Sequence, residues 1–393
     1  MQVEQYAKRR FWILVIIVSI SGFSQGMLLP LISVIFENDG VNSFLNGLNA
    51  TGLYIGTLLI SPFIERPLRK FGYKPVILAG GGIVFCALLL FPLWKSLLFW
   101  FILRLFIGIG DNALHFASQT WITSTANPAK LGKSIAIYGL SFGVGFAIGP
   151  LMVPLIHIFE ALPFIISSIL CLIAWSFVFM LKNDKPEPID ATSEQSKAWQ
   201  RYKTTLRYAW VAFLPPLIYG FLESSLNAIF PVYALRKSFD VSMVSLILSA
   251  FSIGAIITQL PFGTLGDRIG RYKVICSCLL LGSVMFFIGS FFEHLEWFVL
   301  IAFFLAGSFC GSMFSLGISY MTDLTPKQLL PTGNLLCSIF FSIGSLSGPF
   351  VGGALVEHVS FSYLAIVAIL LFVVFIVIVI GGHNKKISTL KKG

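Results

Sequence analysis

The sequence has few charged residues. Only 11% of its 393 residues are Asp, Glu, Lys or Arg, while 56% are apolar. Ordinary soluble domains carry roughly 25% charged residues, so a soluble monomer of this composition could not cover its surface. Disordered chains are poor in aromatic residues, whereas this chain has 39 Phe. Both a soluble globular protein and an intrinsically disordered one are therefore excluded.

Cysteine is also scarce, and no pair is spaced as C-x-x-C. All six lie in apolar stretches, at Cys86, Cys171, Cys276, Cys278, Cys310 and Cys337. This placement predicts buried thiols rather than disulfides or a zinc site. The sequence also lacks a phosphate-binding glycine loop, a nucleophile constellation and a cluster of metal ligands. We therefore predict no enzyme activity, no cofactor and no bound metal.

Long apolar runs fill most of the chain. A bilayer span needs about 20 apolar residues, and twelve runs meet that length. We predict an all-α integral membrane protein whose first run is a retained helix, because it is too long for a signal-peptide core. The predicted spans are 11–36, 44–64, 75–94, 97–121, 134–156, 160–181, 208–234, 242–262, 274–292, 297–321, 334–356 and 361–382.

The positive charges are distributed unevenly between the two sides that these spans define. With a cytoplasmic N-terminus, 23 of the 27 Lys and Arg lie in cytoplasmic segments and three lie outside. This is a strong positive-inside pattern, and it places both termini in the cytoplasm. It also accounts for the net charge of +10, so nucleic acid is not a predicted partner. The short loops suggest a multi-pass monomer of a bacterial inner membrane, with the lipid bilayer and a small-molecule substrate as its partners.

A polar, proline-containing segment at 182–207 divides the chain into an N-terminal six-helix bundle, 1–181, and a C-terminal bundle with a short basic tail, 208–393. The two halves are related. Gly22-Phe23 recurs 198 residues later as Gly220-Phe221, and three further matches have offsets of 198 or 199. The chain is thus a duplicated six-helix unit. Two parallel repeats are expected to enclose a cavity and to alternate its access by rocking.

The connection between the eighth and ninth predicted helices carries a specific motif. It reads Gly263-Thr264-Leu265-Gly266-Asp267-Arg268-Ile269-Gly270-Arg271 and resembles the G-x-L-x-D-R-x-G-R loop signature of the major facilitator superfamily. With two six-helix halves, the resemblance covers essentially the whole chain. It implies the superfamily fold, secondary transport and a latch formed by Gly263, Asp267, Arg268, Gly270 and Arg271. Alternatively, these Arg residues only serve the positive-inside rule. The first-half loop lacks the Asp, and Glu65 stands four residues early.

The fourth predicted helix places Arg104, Gly108, Asp111 and His115 on one face. The segment resembles the superfamily's R-x-x-q-G-x-g element, with Ile107 in place of the usual Gln. A charge at the bilayer centre costs roughly 2.5–3.5 kcal/mol, so this face should avoid lipid. The repeat has no such charges in the tenth helix, where the equivalent residues are Phe303, Cys310 and Phe314. We interpret the difference as functional specialisation; the alternative is an incidental hydrogen-bond network between helices.

The seventh predicted helix carries a second acidic residue, Glu223, and its repeat counterpart in the first helix is Gln25. Tyr219 and Asn227 lie one turn to either side on the same face. Such positions suit the lining of a cavity. The predicted substrate-binding residues are Phe23, Gln25, Tyr138, Tyr219, Asn227 and Phe314, the aromatic ones by position only.

The fifth and eleventh predicted helices each contain G-x-x-x-G-P. These are Gly145, Gly149 and Pro150 in the first half, and Gly344, Gly348 and Pro349 in the second. The pattern resembles an element associated with antiporters of the superfamily, which implies a conformational role. Small residues at this spacing also let membrane helices pack closely, and this alternative stays open.

Together these observations predict a secondary active transporter that resembles drug/proton antiporters. It would export a small organic molecule, cationic or amphiphilic, with protons as the coupling ion. Burial disfavours a charged carboxylate, so Glu223 and Asp111 are the candidate proton-binding residues, with Arg104 and His115 beside them. Glu223 is preferred, because a nearby Arg104 would oppose protonation of Asp111. The alternatives are a sugar or metabolite symporter or uniporter, a lipid flippase, and a sensor without transport.

Overall fold

The computed structural model describes residues 2–125, 131–186, 195–326, 329–359 and 361–390, and within these ranges the chain forms helices and no strand. Short 3-10 segments cover Phe91–Leu93, Gly149–His157 and Trp210–Phe213. The α-helices are α1 Gln2–Asn38, α2 Ser43–Ile60, α3 Glu65–Phe71, α4 Tyr73–Leu90, α5 Leu97–Thr125, α6 Leu131–Ile148, α7 Leu162–Val178, α8 Gln195–Ala209, α9 Leu214–Arg236, α10 Val241–Ile269, α11 Arg271–Phe291, α12 Glu296–Cys310, α13 Met313–Leu324, α14 Leu330–His358 and α15 Tyr363–Leu390.

These helices occupy the twelve predicted positions. Ten helical segments of the described chain are long and apolar enough to cross a membrane, and the bent pair of α2 and α3, at 58°, adds an eleventh if it is counted as one span. The remaining position is filled by α7, which is apolar but has only 17 residues. The prediction of an all-α, twelve-helix membrane protein is confirmed.

The chain divides into two compact units. Unit 1 comprises residues 1–41 and 48–190, and unit 2 comprises 42–47 and 191–393. The predicted linker, 182–207, is helical from Gln195 onward in α8, while residues 187–194 lie outside the described residues. The domain boundaries at 181 and 208 stay a prediction. Of the counted positive charges, Lys130, Lys327, Lys391 and Lys392 also lie outside the described residues.

Each unit has its own aromatic core. In unit 1, α1, α4, α5 and α7 pack around Trp121, whose ring stacks on that of Tyr73 with centroids 5.3 Å apart. In unit 2, the fully buried ring of Phe303 lies 4.4 Å from that of Phe230 and 5.4 Å from that of Phe286. Each of these large aromatic side chains buries much apolar surface inside its bundle.

The sequence repeat is matched by helix packing inside the units. Gly22 of α1 lies so close to α6 that an added Cβ would meet the carbonyl oxygen of Phe142. At the repeat position in unit 2, a Cβ on Gly220 of α9 would meet the carbonyl oxygen of Phe341, on α14. The same two helices of each repeat therefore cross at the same residues.

The G-x-x-x-G-P motifs lie at these crossings. A Cβ on Gly145 would overlap the backbone of α1 at Ser19, and one on Gly344 would overlap the backbone of α9 at Leu217. Gly149 and Gly348 approach the same partner helices one turn later. The structure thus gives the glycines a packing role, and their conformational role stays a prediction.

At Pro150 the α6 helix passes into the 3-10 segment Gly149–His157, because proline has no N–H to continue the α-helical pattern.

A charged cluster joins the ends of α9, α11 and α15 in unit 2. The Glu293 carboxylate, in the loop after α11, accepts hydrogen bonds from Lys237 Nζ at 2.7 Å, from Ser362 Oγ at 2.8 Å and from the Tyr233 hydroxyl. Partial burial on its own would raise the pKa of Glu293, but the hydrogen bonds from Lys237, Tyr233 and Ser362 outweigh it. The pKa of Glu293 is therefore below its ordinary value of 4.5.

This cluster predicts a pH-dependent loss of stability. A carboxyl group with a lowered pKa stabilises the folded state fully above its ordinary pKa, and that stabilisation is lost as the pH falls through the lower folded value. We expect Glu293→Gln to lower the unfolding temperature at pH 7, and its difference from the original protein to shrink as the pH falls below 4.5. Thermal unfolding of both proteins across that range measures this. A difference that stays constant with pH would contradict it.

Candidate functional site

A buried polar network joins α1, α5 and α6 in unit 1. The hydroxyl of Ser21 lies 2.7 Å from Asp111 Oδ1 and 3.0 Å from His115 Nε2. On the other side of the ring, His115 Nδ1 lies 3.1 Å from the hydroxyl of Tyr138. Ser21 therefore bridges two residues that the sequence places on the same face of α5.

The network continues along α5. The hydroxyl of Tyr138 lies 2.8 Å from Ser118 Oγ, which in turn lies 2.6 Å from the carbonyl oxygen of Leu114. The edge of the His115 ring packs against Phe142, with centroids 5.1 Å apart. The Phe142 ring thus packs against the imidazole, whose two nitrogens contact the hydroxyl groups of Ser21 and Tyr138.

A small cavity lies inside unit 1 beside the Asp111 carboxyl group. It is lined by Ser21 of α1, Gly81 of α4, Asp111 of α5, and Cys171 and Trp175 of α7, and it has about 20 Å³ of free volume. This is enough for about one water molecule. Asp111 Oδ2 is buried and has no hydrogen-bond partner among the described residues.

Arg104 is fully buried in unit 1, two helical turns before Asp111. None of its three guanidinium nitrogens has a hydrogen-bond partner among the described residues. No ion pair joins Arg104 to Asp111 within the described chain, in agreement with a separation of about 10 Å along a helix axis for two turns. Tyr54, on α2, is the ionisable residue that faces the guanidinium group.

Glu223 lies in unit 2, on α9. Its carboxyl group makes no hydrogen bond or ion pair within the part of the chain that is described. Its backbone carbonyl oxygen accepts a hydrogen bond from Asn227 Nδ2 at 2.8 Å. Asn227 Oδ1 is buried without a partner there. One turn before Glu223, the ring of Tyr219 packs against Phe341, with centroids 6.1 Å apart. The two acidic residues therefore lie in different units.

The structure brings some of the predicted substrate-binding residues together. Phe314 packs on Phe341 at 5.1 Å between centroids, so one aromatic row contains Tyr219, Phe341 and Phe314. In unit 1, Gln25 faces the Asp111 carboxyl group from α1, and Tyr138 belongs to the polar network. Phe23 is buried and contributes its backbone to the α1–α6 crossing near Gly149.

Sequence reasoning missed four residues at these sites. Ser21 and Ser118 complete the polar network of unit 1, and Phe142 packs against its His115 ring. Phe341 packs against Tyr219 and Phe314 in unit 2. Two signals were present. Ser21 lies four residues before Gln25 and so shares its face of α1, and Phe142 and Phe341 are 199 residues apart, which is the repeat offset.

The signature motif forms the last two turns of α10 and the start of α11, with only Gly270 between the two helices, so the connection predicted after residue 262 is helical. Its charged residues form an ion-pair cluster in unit 2. Arg271 contacts Asp267 Oδ1 at 2.8 Å and Asp323 Oδ1, at the end of α13, at 2.5 Å. Gly270 adopts a φ of +98°, which disfavours other residues. Arg268 is exposed and makes no ion pair within the described ranges, and a Cβ on Gly263 would meet no neighbour. Of the predicted latch residues, Asp267 and Arg271 are thus paired and Gly270 is the junction between the two helices, and their role as a latch stays a prediction.

The equivalent loop of unit 1 uses different acids. Glu65 pairs with Arg69 within α3, and Gly72 repeats the positive φ of Gly270, at +96°. A second pair lies nearby, where Asp184 Oδ2 contacts Arg10 Nη1 at 2.7 Å and accepts from Trp121 Nε1 at 3.0 Å. The start of the connecting segment therefore supplies an acid that the loop itself lacks.

A model of the Major Facilitator Superfamily matches residues 14–237 and 213–392. The chain belongs to the Major Facilitator Superfamily. It is 54% identical over 343 residues to the uncharacterized MFS-type transporter YfkF of Bacillus subtilis, covering 87% of this chain and 88% of that protein. It is also 24% identical to multidrug resistance protein 2 of Bacillus subtilis, with 84% and 85% covered. The crystal structure of the nucleoside transporter NupG matches with a TM-score of 0.78 at 15% identity, covering 94% of this chain and 98% of that one.

These similarities establish a multi-pass membrane transporter of the superfamily type. The resemblance found in the loop signature is thereby confirmed, as are the transporter class and the prediction that the protein is not an enzyme. A superfamily transporter carries a small-molecule substrate across the membrane.

Proposed function

We propose that this superfamily member is a proton-coupled exporter of small cationic or amphiphilic molecules, working by alternating access in a bacterial inner membrane with both termini in the cytoplasm. The observation that carries the proposal is the Glu223 carboxyl group, which is half-buried in a membrane bundle and has no polar partner among the described residues. An isolated buried carboxylate is costly, and binding either a proton or a cationic substrate removes that cost.

The surroundings of Glu223 suit an organic cation. The aromatic row of Tyr219, Phe341 and Phe314 offers apolar and π surface within the same unit. Aromatic faces attract cations by about 0.5–2 kcal/mol, more when the site is desolvated. A cation that binds at this carboxylate would displace the proton, and this competition would couple export to proton entry. The relative at 24% identity is named a multidrug resistance protein, which supports export of small organic molecules.

The test begins with finding a transported compound. Cells with and without the protein are compared for retention of ethidium and other cationic dyes and for their untargeted metabolite profile. The compound that is exported is then followed in inside-out membrane vesicles with an imposed pH gradient. We expect proton-driven uptake in these vesicles, reduced at least tenfold by Glu223→Gln, because a neutral amide cannot exchange a proton.

Glu296→Gln is the matched control in the same unit. Glu296 lies at the start of α12, where its carboxylate accepts from the Asp240 backbone at 3.3 Å, and a Gln side chain keeps an acceptor oxygen there. We expect it to transport normally. Proton-driven uptake by Glu223→Gln equal to that of Glu296→Gln would reject Glu223 as the coupling residue.

A further inference from the structure

We propose that the unit 1 network of Asp111, Ser21, His115, Tyr138 and Ser118 is a one-proton relay, in which the Ser21 hydroxyl passes a proton between the Asp111 carboxylate and the His115 imidazole. This inference rests on the proposed function only in linking the relay to transport. The acidic residues were already considered as proton-binding groups. The relay adds His115 as a second proton-binding group and the Ser21 hydroxyl as the path between Asp111 and His115.

Counting hydrogens shows that the network has room for one extra proton. Five contacts link it in series: Asp111 to Ser21, Ser21 to His115, His115 to Tyr138, Tyr138 to Ser118, and Ser118 to the Leu114 carbonyl. Each hydroxyl group donates one hydrogen and a neutral imidazole donates one. These groups supply four hydrogens, so with an ionised Asp111 and a neutral His115 one of the five contacts has no hydrogen.

A single added proton completes the series in either of two positions. With the proton on Asp111, the carboxyl group donates to Ser21, Ser21 donates to His115 Nε2, and His115 Nδ1–H donates to Tyr138. With the proton on His115, the imidazolium Nε2–H donates to Ser21 and Ser21 donates to the Asp111 carboxylate. In both forms Tyr138 donates to Ser118, and Ser118 donates to the carbonyl oxygen.

The two forms interconvert by a balanced proton transfer. The Asp111 O–H bond breaks as a new O–H bond forms at Ser21, while the original Ser21 O–H bond breaks as the N–H bond forms at His115 Nε2. Ser21 ends as it began, with one hydrogen, and the network gains or loses none. The distances of 2.7 Å and 3.0 Å on either side of Ser21 are ordinary hydrogen-bond distances.

The groups that face Asp111 isolate this exchange from other charges. From α1 it is faced by Ser21 and Gln25, from α7 by the thiol of Cys171, and from α6, through His115, by the phenol of Tyr138. The cavity wall from α4 is apolar apart from its backbone, with Ile77, Gly81 and Val84. Arg104, the positively charged residue of α5, makes no hydrogen bond to Asp111 in the described chain.

The fold itself does not require the relay. At the repeat positions in unit 2, Asp111 is replaced by Cys310, His115 by Phe314 and Tyr138 by Cys337, while Ser21 is replaced by Tyr219. Cys310 and Cys337 are fully buried there. The same helix crossings are thus built once with thiols and aromatic rings, without a carboxyl or imidazole group, and once with a complete donor–acceptor series, and this difference favours a chemical role for the series.

The experiment follows the ring nitrogens of His115 by NMR as the pH is changed, using full-length protein labelled with ¹⁵N-histidine in lipid nanodiscs. His115→Gln identifies the signal among the five histidines. We expect one protonation step in the original protein. Asp111→Asn removes one proton-binding group, and Ser21→Ala removes the hydroxyl group that connects it to His115. Each variant should therefore change the proton affinity of His115 by at least about tenfold, which moves the midpoint of its titration by one pH unit.

Two serine variants serve as controls. Ser21→Thr keeps the hydroxyl group and should restore the original midpoint. Ser24→Ala lies on the same helix and is equally buried, but Ser24 bonds to Ser167 and Cys171 instead, so it should leave the midpoint unchanged. These variants separate loss of the relay from a general loosening of α1.

Three results would overturn the relay. They are an unchanged His115 midpoint in both Asp111→Asn and Ser21→Ala, a midpoint shifted as much by Ser24→Ala as by Ser21→Ala, and a His115 ring whose signals do not respond to pH in the original protein. None of these measurements involves transport. If the midpoints shift as expected while Asp111→Asn vesicles keep full proton-driven transport, the relay stands and its use in transport is rejected.

Discussion

Gly145→Ala is expected to destabilise the protein by on the order of 1–3 kcal/mol, the usual cost of forcing extra atoms into a packed interior. Its Cβ would meet the carbonyl oxygen of Ser19 and the backbone nitrogen of Phe23. Both are backbone atoms of α1, so no side-chain rotation relieves the overlap and the two helices must separate. Thermal unfolding of the purified protein, followed by circular dichroism and by loss of the monodisperse peak in gel filtration, measures the effect.

Gly139→Ala is the matched control on the same helix. A Cβ on Gly139 would meet nothing within 4 Å, and alanine favours a helix by about 1 kcal/mol over glycine, so this variant should be as stable as the original or more so. Gly344→Ala, at the repeat position in unit 2, should resemble Gly145→Ala because its Cβ would overlap the Leu217 carbonyl of α9. Equal unfolding temperatures for Gly145→Ala and Gly139→Ala would contradict the assigned packing role.

Hydropathy was sufficient to place the membrane helices but not their breaks. The span predicted at 297–321 contains two helices, α12 and α13, separated at Gly311 and Ser312. The span predicted at 44–64 ends at Ile60 and is followed by the bent helix α3. An apolar run reports how a segment partitions into lipid, whereas a break depends on local backbone geometry and on the neighbour that packs there. This is why the length was predictable and the interruption was not.

In the candidate site, too, features that depend on one helix could be predicted, whereas contacts between helices could not. The helical period was enough to put Arg104, Asp111 and His115 on one face of α5, because that depends on one helix alone. The partners of these residues depend on how α1 and α6 are registered against α5, and that register is set by contacts such as those of Gly22 and Gly145. Ser21 was therefore overlooked although it is the residue that connects Asp111 to His115.

The repeat helps to separate structural from chemical requirements. At the position of Arg104, unit 2 has Phe303, which is fully buried between Phe230 and Phe286. The bundle can therefore be built with an apolar side chain at this point. A buried guanidinium group without hydrogen-bond partners costs folding free energy, and we therefore predict that Arg104 serves transport rather than stability.

Arg104→Met is consequently expected to fold, to unfold at the same temperature as the original protein or higher, and to lose proton-driven transport at least tenfold. Methionine fills a similar volume and removes the unpaired buried charge. The measurement combines thermal unfolding with pH-gradient-driven uptake in inside-out vesicles, using the compound identified by the dye and metabolite comparison. The rise in stability and the loss of transport should occur in the same variant.

Arg104→Lys separates charge from shape in this prediction. Lysine keeps the positive charge on a flexible chain without the planar guanidinium fork, so it should remain less stable than Arg104→Met and retain more transport. A Met variant that is less stable than the original protein would show that the guanidinium group has a stabilising partner in the folded state. A stable Met variant that transports at the original rate would show that the charge at this position has no part in coupling.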